Sequence, residues 1–208
     1  MSMEYFLESC CTDVEQIRRA QEAGARRIEL CENLAVGGVT PSAELLKAAI
    51  SVAKVPVNVL VRPRGGDFVF SAAEADTMLR DIELCREAGA AAVVIGALDS
   101  RGDVDMPLMR RLCDAASGMS VTFHRAFDVC ADPLAAFEDV LALGCDRLLT
   151  SGHESDAFKG RFFIAELVER AAGRIIVMPG CGVRRSNIAR IAADTGAVEF
   201  HASSAFFD

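Results

Sequence analysis

The chain has 208 residues, of which 51% are hydrophobic and 25% charged, and its net charge is −8 at pH 7. These values indicate one globular domain, residues 1–208, and exclude a disordered chain. The acidic balance argues against a nucleic-acid-binding protein. No apolar run approaches the roughly 20 residues of a membrane span, and the first residues, MSMEYFLESC, lack the pattern of a signal peptide. We therefore expect a cytoplasmic protein with no membrane partner.

Short apolar strands alternate with amphipathic helices along the whole chain. Each strand-and-helix repeat has the size of a βα unit, and eight units predict a TIM-type (β/α)₈ barrel. An open doubly wound sheet is the alternative. The predicted strands lie near Glu4–Cys10, Arg27–Cys31, Val57–Arg62, Ala92–Gly96, Ser120–His124, Arg147–Thr150, Ile175–Met178 and Val198–His201.

Helix-start signals support this repeat. Thr12 with Glu15 and Ser71 with Glu74 have the spacing of capping boxes, and Thr40 and Asp132 each precede a proline. Only Ala202 to Asp208 follow the eighth strand, which is too short for an ordinary helix. The eighth helix is therefore predicted to be missing or very short.

The third strand ends in the segment RPRGGDF, from Arg62 to Phe68. Arg62 and Arg64 bring positive charge to the carboxyl end of a strand, where a loop with free N–H groups begins. Such a pair binds an anionic ligand or neighbouring carboxylates, with Asp67 in the same loop. For one of the two arginines we expect a structural ion pair.

Polar side chains are predicted at the inner face of several strands, near the end where barrel enzymes carry their sites. Burying them is unfavourable unless they pair with one another, so they indicate a site. Glu8, Glu29 and Glu199 lie on three adjacent strands and form either a polar plug with the arginines or a site with a general acid or base. The predicted inward residues are Glu8, Cys10, Glu29, Cys31, Arg62, Thr122, His124, Thr150, Glu199, His201 and Ser203.

Two later segments add candidates. The fifth strand ends in His124, Arg125 and Asp128, and His124 could serve as acid/base, metal ligand or anion donor. A glycine-rich turn with Gly180 and Gly182 follows the seventh strand. Together with Ser203 and Ser204 it matches the usual phosphate site of barrel enzymes.

Eight cysteines occur without a C-x-x-C pair, and a disulfide framework is not expected. Cys10 and Cys31 end adjacent strands and could hold Cu(I), with His201 or Cys11 as a third donor. Two inert buried thiols are the alternative.

Several motifs closely resemble the CutC family, named for copper homeostasis. They are ESC (Glu8–Cys10), RIELC (Arg27–Cys31), GGVTP (Gly37–Pro41), RPRGGDF (Arg62–Phe68), VTFHRAFD (Val121–Asp128), LTSG (Leu149–Gly152) and EFH (Glu199–His201). The resemblance implies a TIM-type barrel, a cytoplasmic location, assembly into a homodimer or homotetramer, and copper (Cu⁺) bound by Cys10 and Cys31. Family members usually continue for some tens of residues past the eighth strand, whereas this sequence stops at Asp208.

Two functions therefore stay open. One is a copper homeostasis protein that binds Cu(I) without turnover. The other is an enzyme acting on a small phosphorylated or carboxylated metabolite at the mouth of the barrel, and the polar residues there favour it. In the enzyme, Glu8, Glu29 or His124 would move protons, and the anion would be bound by residues drawn from Arg62, Arg64, Asp67, Arg125, Asp128, Thr150, Gly180, Gly182, His201 and Ser203.

Overall fold

A computed structural model describes residues 5–203 and Phe206. Eight parallel strands form one sheet in the order β7-β6-β5-β4-β3-β2-β1-β8. The sheet curls until β7 packs beside β8, which confirms the TIM-type barrel and rules out the open sheet. The strands are β1 (Phe6–Cys11), β2 (Arg27–Leu30), β3 (Val57–Leu60), β4 (Ala92–Ile95), β5 (Ser120–Phe123), β6 (Arg147–Thr150), β7 (Ile176–Pro179) and β8 (Glu199–Ser203).

Seven α-helices within the described ranges cover the outside of the barrel. They are α1 (Val14–Glu22), α2 (Ala43–Val52), α3 (Ala72–Ala88), α4 (Met106–Ala115), α5 (Pro133–Ala142), α6 (Arg161–Ala171) and α7 (Ile188–Thr195). Short 3-10 turns, Leu34–Val36 and Arg125–Val129, lie in the loops after β2 and β5. No helix in the described part is both long enough and apolar enough to cross a membrane.

The hydrophobic core lies between the strands and the helices. Ile28, Val59 and Phe123 on the strands are fully buried there, as are Ile17 and Met109 on the helices. Because side chains alternate along a strand, the neighbours of the outward-facing residues point into the barrel. The interior therefore receives Glu8 and Cys10 from β1, and Glu29 from β2.

The helix starts agree with the predictions in two of four cases. Ser71 and Glu74 form the capping box of α3, and Asp132 caps α5 ahead of its proline. The prediction for α1 was wrong, because the cap is Asp13, whose carboxylate accepts from the Gln16 N–H. The prediction for α2 was wrong by two residues, since Ser42 is the cap. In both cases another capping side chain stands one or two positions later in the sequence, and spacing alone does not decide between them.

No α-helix follows β8 in the part of the chain that the structure describes, as predicted. Phe206, in a short turn, is buried. Two predicted site or strand residues, Glu4 and Ser204, lie outside the described residues.

Candidate active site and metal centre

A polar plug, which we define as Glu8, Arg27, Asn58, Arg147 and Glu199, fills the lower part of the barrel interior. Arg27 lies at its centre, only 3% exposed. Its Nε donates to Glu8 Oε2 at 2.5 Å, and its Nη2 donates to Glu199 Oε2 at 2.6 Å. One guanidinium thus bridges two buried carboxylates on neighbouring strands.

The rest of the plug completes this pairing. Arg147 Nε donates to Glu199 Oε2 at 2.8 Å, and Asn58 Nδ2 donates to Glu8 Oε2 at 3.1 Å. Two arginines therefore neutralise two glutamates, and charged hydrogen bonds offset the desolvation of each group. The sequence predicted a balanced plug as one of two alternatives, but with Arg62 and Arg64 as the cations. The cations are Arg27 and Arg147.

His201 connects the plug to the mouth of the barrel. Its Nδ1 lies 2.7 Å from Glu8 Oε1, and its Nε2 lies 3.7 Å from Glu29 Oε2. Burial by itself would raise the pKa of Glu8, but the hydrogen bond with His201 and the charge of Arg27 outweigh it and lower the pKa to about 2. Burial would likewise lower the pKa of His201, yet the charges of Glu29 and Glu8 raise it. His201 therefore lies between two carboxyl groups whose charges favour its protonated form.

Glu29 differs from Glu8 in its environment. Burial raises the pKa of Glu29 above its ordinary value, and the charge of His201 offsets only part of that effect. Glu29 lines the open pocket, whereas Glu8 lies beneath it. Among the three predicted proton-transfer residues, Glu29 is thus the one that combines pocket access with a raised pKa.

Two thiols lie beside Glu29. Cys10 Sγ and Cys31 Sγ are 3.5 Å apart, and both side chains are buried. Together with a Glu29 carboxylate oxygen, their donor atoms all fall within 4.8 Å of one another. The hydrogen bond with Cys31, burial and the Glu29 charge raise the pKa of Cys10 well above its ordinary value. Both thiols line the same pocket as Glu29.

The predicted third donors are placed differently. Cys11 points away from the interior, with its sulfur 3.4 Å from Ser9 Oγ, so its suggested role as a ligand is wrong. Its neighbour Cys10 occupies the inward position because alternation allows only one of the two to face the barrel. His201 reaches Glu29 and Glu8, and these three form a second group of potential ligands.

A pocket of about 760 Å³ opens at the carboxyl ends of the strands. It brings together nine of the predicted site residues. They are Cys10, Glu29, Cys31, Arg62, His124, Arg125, Gly182, His201 and Ser203. Arg184 and Arg185, in the loop after β7, also line it and were not predicted.

Other predicted residues lie outside this lining. Arg64 pairs with Glu74 Oε1 at 2.5 Å and Asp67 Oδ1 at 2.9 Å, and it is the arginine with the structural ion pair. Asp128 instead links the loop after β5 to the end of β6 by hydrogen bonds, because it accepts from Thr150 Oγ1 and from the Ser151 N–H. Gly180 N–H donates to Thr150 O, which continues the sheet.

Three residues of the plug were not singled out from the sequence: Arg27, Asn58 and Arg147. Arg27 is two residues before Glu29, and Asn58 is two residues before Leu60, on the same inward face. Arg147 is two residues before Leu149, which lines the pocket. Extending the alternation toward the start of each strand would have found all three.

Comparison with known proteins identifies the family. A sequence profile of the CutC family matches residues 5–206. A family protein CutC from Parabacteroides distasonis is 54% identical over 97% of this chain and 84% of its own length. Another from Xylella fastidiosa is 50% identical over 98% of this chain and 76% of its own length.

Solved structures agree. A Streptococcus agalactiae protein, described as a proposed copper homeostasis protein CutC, superposes with a TM-score of 0.90 at 34% identity, covering 96% of this chain and 98% of that one. The sequence matches span the strands that carry the thiols, the plug and the pocket. The chain belongs to the CutC family.

Proposed function

We propose that this chain is a copper homeostasis protein that binds Cu(I) through Cys10 and Cys31. The observation that carries the proposal is the 3.5 Å separation of the two buried sulfurs at the wall of an open pocket. Thiolates are soft ligands and suit Cu(I) better than hard divalent ions. The Streptococcus agalactiae relative named for copper homeostasis supports the same assignment.

The donor set of this site fits the ion. Cys10 and Cys31 would hold it, and Glu29 is within reach as a weaker oxygen donor. Bound Cu(I) would replace the thiol protons, since thiolates and not thiols are the ligands. Because the pKa of Cys10 is raised well above its ordinary value, the Cys10 thiol keeps its proton at neutral pH when no metal is bound. We therefore expect the apparent Cu(I) affinity to increase with pH.

The test is a Cu(I) titration of the reduced protein against a competing chelator. Replacing Cys10 and Cys31 together by serine should weaken binding by more than about 100-fold, because both donors of the site are lost. Cys11→Ser is the matched control, since Cys11 is adjacent in sequence but faces outward, and it should leave the affinity unchanged. Equal affinity in the wild type and the double variant would refute the proposal.

A second candidate is an enzyme that acts on a small phosphorylated or carboxylated metabolite. It is favoured by Arg62, which lines the pocket, is 5% exposed and has no carboxylate in ion-pair contact among the described residues. Arg184 adds positive charge to the same pocket, whereas Arg125, which also lines it, is paired with Asp128 Oδ2 at 2.7 Å. In this function Glu29 would exchange the proton, and Glu8 would hold His201 in place.

Incubating metal-free protein with a bacterial metabolite extract tests this second function. Wild type should deplete an anionic metabolite, while Glu29→Gln, which removes the titrating carboxyl group, should not. Mass spectrometry would read both. If the two proteins leave the same metabolite profile, the enzyme function is refuted. The proposal of Cu(I) binding does not depend on this result.

The remaining expectations are a cytoplasmic location and assembly into a homodimer or homotetramer without nucleic acid. Eight free cysteines support a reducing compartment. Exposed apolar side chains on the outer surface, such as Phe162 and Val198, both 66% exposed, are suited to contact between copies. Light scattering of the purified chain measures the assembly directly, and a monomer at all concentrations would exclude it.

A further inference from the structure

Arg62 is a buried cation with unusual partners. Its guanidinium donates to three backbone carbonyls, Val36 O and Gly38 O at 3.1 Å and Gly66 O at 2.6 Å. These contacts fix its orientation without neutralising its charge. Two of its five N–H groups remain, one on Nη2 and the Nε–H, and the Nε atom is buried with no hydrogen-bond partner in the described part of the chain. A buried charge of this kind normally faces an anion.

His124 presents a second donor of the same kind. Its Nδ1 accepts a hydrogen bond from the Ala126 N–H at 3.2 Å, so the proton of the neutral ring lies on Nε2. That nitrogen is buried and unpartnered within the described residues. The ring fits closely over Gly96, where an added Cβ would lie 2.5 Å from Nδ1. The ring is thus held in one orientation by its surroundings.

Phe68 links the two residues. The Arg62 guanidinium lies 4.5 Å from the centre of the Phe68 ring, and the His124 ring centre lies 5.0 Å from it. All three side chains line the pocket. Phe68 is only partly buried, in the loop after β3. Its ring packs against both the Arg62 guanidinium and the His124 ring, and the ring itself makes no hydrogen bond.

We propose that Arg62 and His124 form a subsite for an anionic oxygen, the carboxylate or phosphate of a small organic acid. The acceptor would receive the Arg62 Nε–H and the His124 Nε2–H as the Phe68 ring moves aside. The subsite names the chemical group that the second candidate function would recognise, and only its biological use rests on that function. It does not depend on Cu(I), because neither thiol contributes a donor.

The protonation state of His124 is suited to a hydrogen-bond donor that does not depend on pH in the physiological range. Burial, with the nearby charge of Arg62, lowers the pKa of His124 to about 3. The ring is therefore neutral and keeps its Nε2 proton at physiological pH. The His124 donor itself therefore does not change protonation between about pH 6 and 8, unlike a histidine of ordinary pKa, and any pH dependence of binding in that range would come from Glu29 and His201 in the same pocket.

Calorimetric titration of reduced, metal-free protein tests the subsite, with inorganic phosphate and malonate as the two probes. Arg62→Gln removes the charge and should weaken binding by roughly tenfold or more. His124→Asn keeps an acceptor for the Ala126 N–H but lacks a donor at Nε2, and should weaken it by several-fold. His124→Gln returns a donor near the Nε2 position and should recover most of that loss. Arg64→Gln is the control and should bind as wild type does.

The outcomes separate cleanly. The subsite is supported if either probe binds and the variants lose affinity in the order given above. The probe that binds more tightly shows whether the subsite prefers carboxylate or phosphate. If neither probe binds, or if Arg62→Gln and Arg64→Gln behave alike, the subsite is wrong. Nitrogen NMR of the wild type gives an answer that needs no variant, since the His124 Nε2–H resonance must shift on anion addition. If this resonance shifts on anion addition but the protein depletes no metabolite, the enzyme function is refuted and the subsite is retained.

Discussion

The two ends of the barrel interior treat buried charge in opposite ways. In the polar plug, Arg27 is 3% exposed and contacts two carboxylates at 2.6 Å or less. At the mouth, Arg62 is 5% exposed, and its hydrogen bonds go only to backbone carbonyls. Both arginine side chains are almost fully buried, yet only the charge of Arg27 is neutralised by carboxylates.

This difference separates structure from function. A fully paired buried network contributes specificity to the fold and leaves no group free to bind a ligand. Buried donors without partners are unfavourable in the free protein and become favourable when a ligand accepts from them. The mouth, with its two unpaired donors and two adjacent thiols, is therefore where binding is expected. The plug supports it from below through Glu8 and His201.

The largest expected effect tests the comparison directly. Arg27→Met should reduce the free energy of unfolding by roughly 3–5 kcal/mol, because it leaves Glu8 and Glu199 buried with too few cations. Arg62→Met is the matched variant and should cost clearly less, since no carboxylate loses a partner. Urea unfolding measures both. Equal losses would show that the pairing of the plug is not what distinguishes the two arginines.

A smaller effect concerns the pH dependence of stability. The pKa of Glu8 is lowered to about 2, so this group stabilises the fold above its unfolded pKa, and that contribution is lost as the pH falls toward 2. For a lowering of the Glu8 pKa from 4.5 to about 2, linkage gives on the order of 3 kcal/mol over this range. Glu8→Gln should flatten the decline between about pH 4.5 and 2.

Urea unfolding at a series of pH values measures this linkage. Glu74→Gln is a useful control, because Glu74 also has a lowered pKa but lies on the outside of the barrel. Its variant should keep most of the acid sensitivity of the wild type. If Glu8→Gln is as acid-sensitive as wild type, Glu8 is not the titrating group.

Much of this architecture follows from local sequence rules. Strand spacing predicted the barrel because each βα unit carries its own hydrophobic pattern, and alternation predicted the inward positions of Glu8, Cys10, Glu29 and His201. These rules act within one strand. They give the face on which a residue lies. The neighbouring positions of β8 and β1 followed instead from closure of the predicted barrel, and the structure confirms them.

Pairing across the interior could not be predicted in the same way. Arg27 reaches Glu199, which is 172 positions away in the chain, and Arg62 and Arg64 were both plausible partners for the glutamates. The choice depends on height along the barrel axis, because Arg27 lies opposite Glu8 in the strand register whereas Arg62 follows the end of β3. Shear and tilt set that height, and neither can be read from one strand.

A steric change at the mouth should lower stability less than Arg27→Met does and more than a change on the outer surface. Gly96→Ala places a methyl group 2.5 Å from His124 Nδ1, so the ring must move. We expect a loss of about 1–3 kcal/mol in unfolding free energy from overpacking, together with weaker binding of malonate or phosphate. Gly89→Ala is not a suitable control because its φ is +87°.

Ala97→Gly provides a better comparison for that variant, since it changes the adjacent buried position without adding atoms near His124. It should lower stability while leaving anion binding close to wild type. Calorimetry and urea unfolding of both variants give the two readouts. Unchanged anion binding in Gly96→Ala would mean that the orientation of His124 does not matter for the subsite.

The smallest effect is expected on the outside of the loop after β3. Arg64 pairs with Asp67 and Glu74, but its side chain is 36% exposed and that of Asp67 is 70% exposed, so solvent screens both contacts. Arg64→Gln should change the urea midpoint less than any variant above and leave anion binding unaltered. A loss of binding in Arg64→Gln comparable to that in Arg62→Gln would mean that the loop as a whole, and not the buried guanidinium, creates the positive site. Measuring anion binding of both variants at low and high salt distinguishes these two explanations. Any contribution of the exposed Arg64 to binding should vanish at high salt, whereas that of the buried Arg62 should persist.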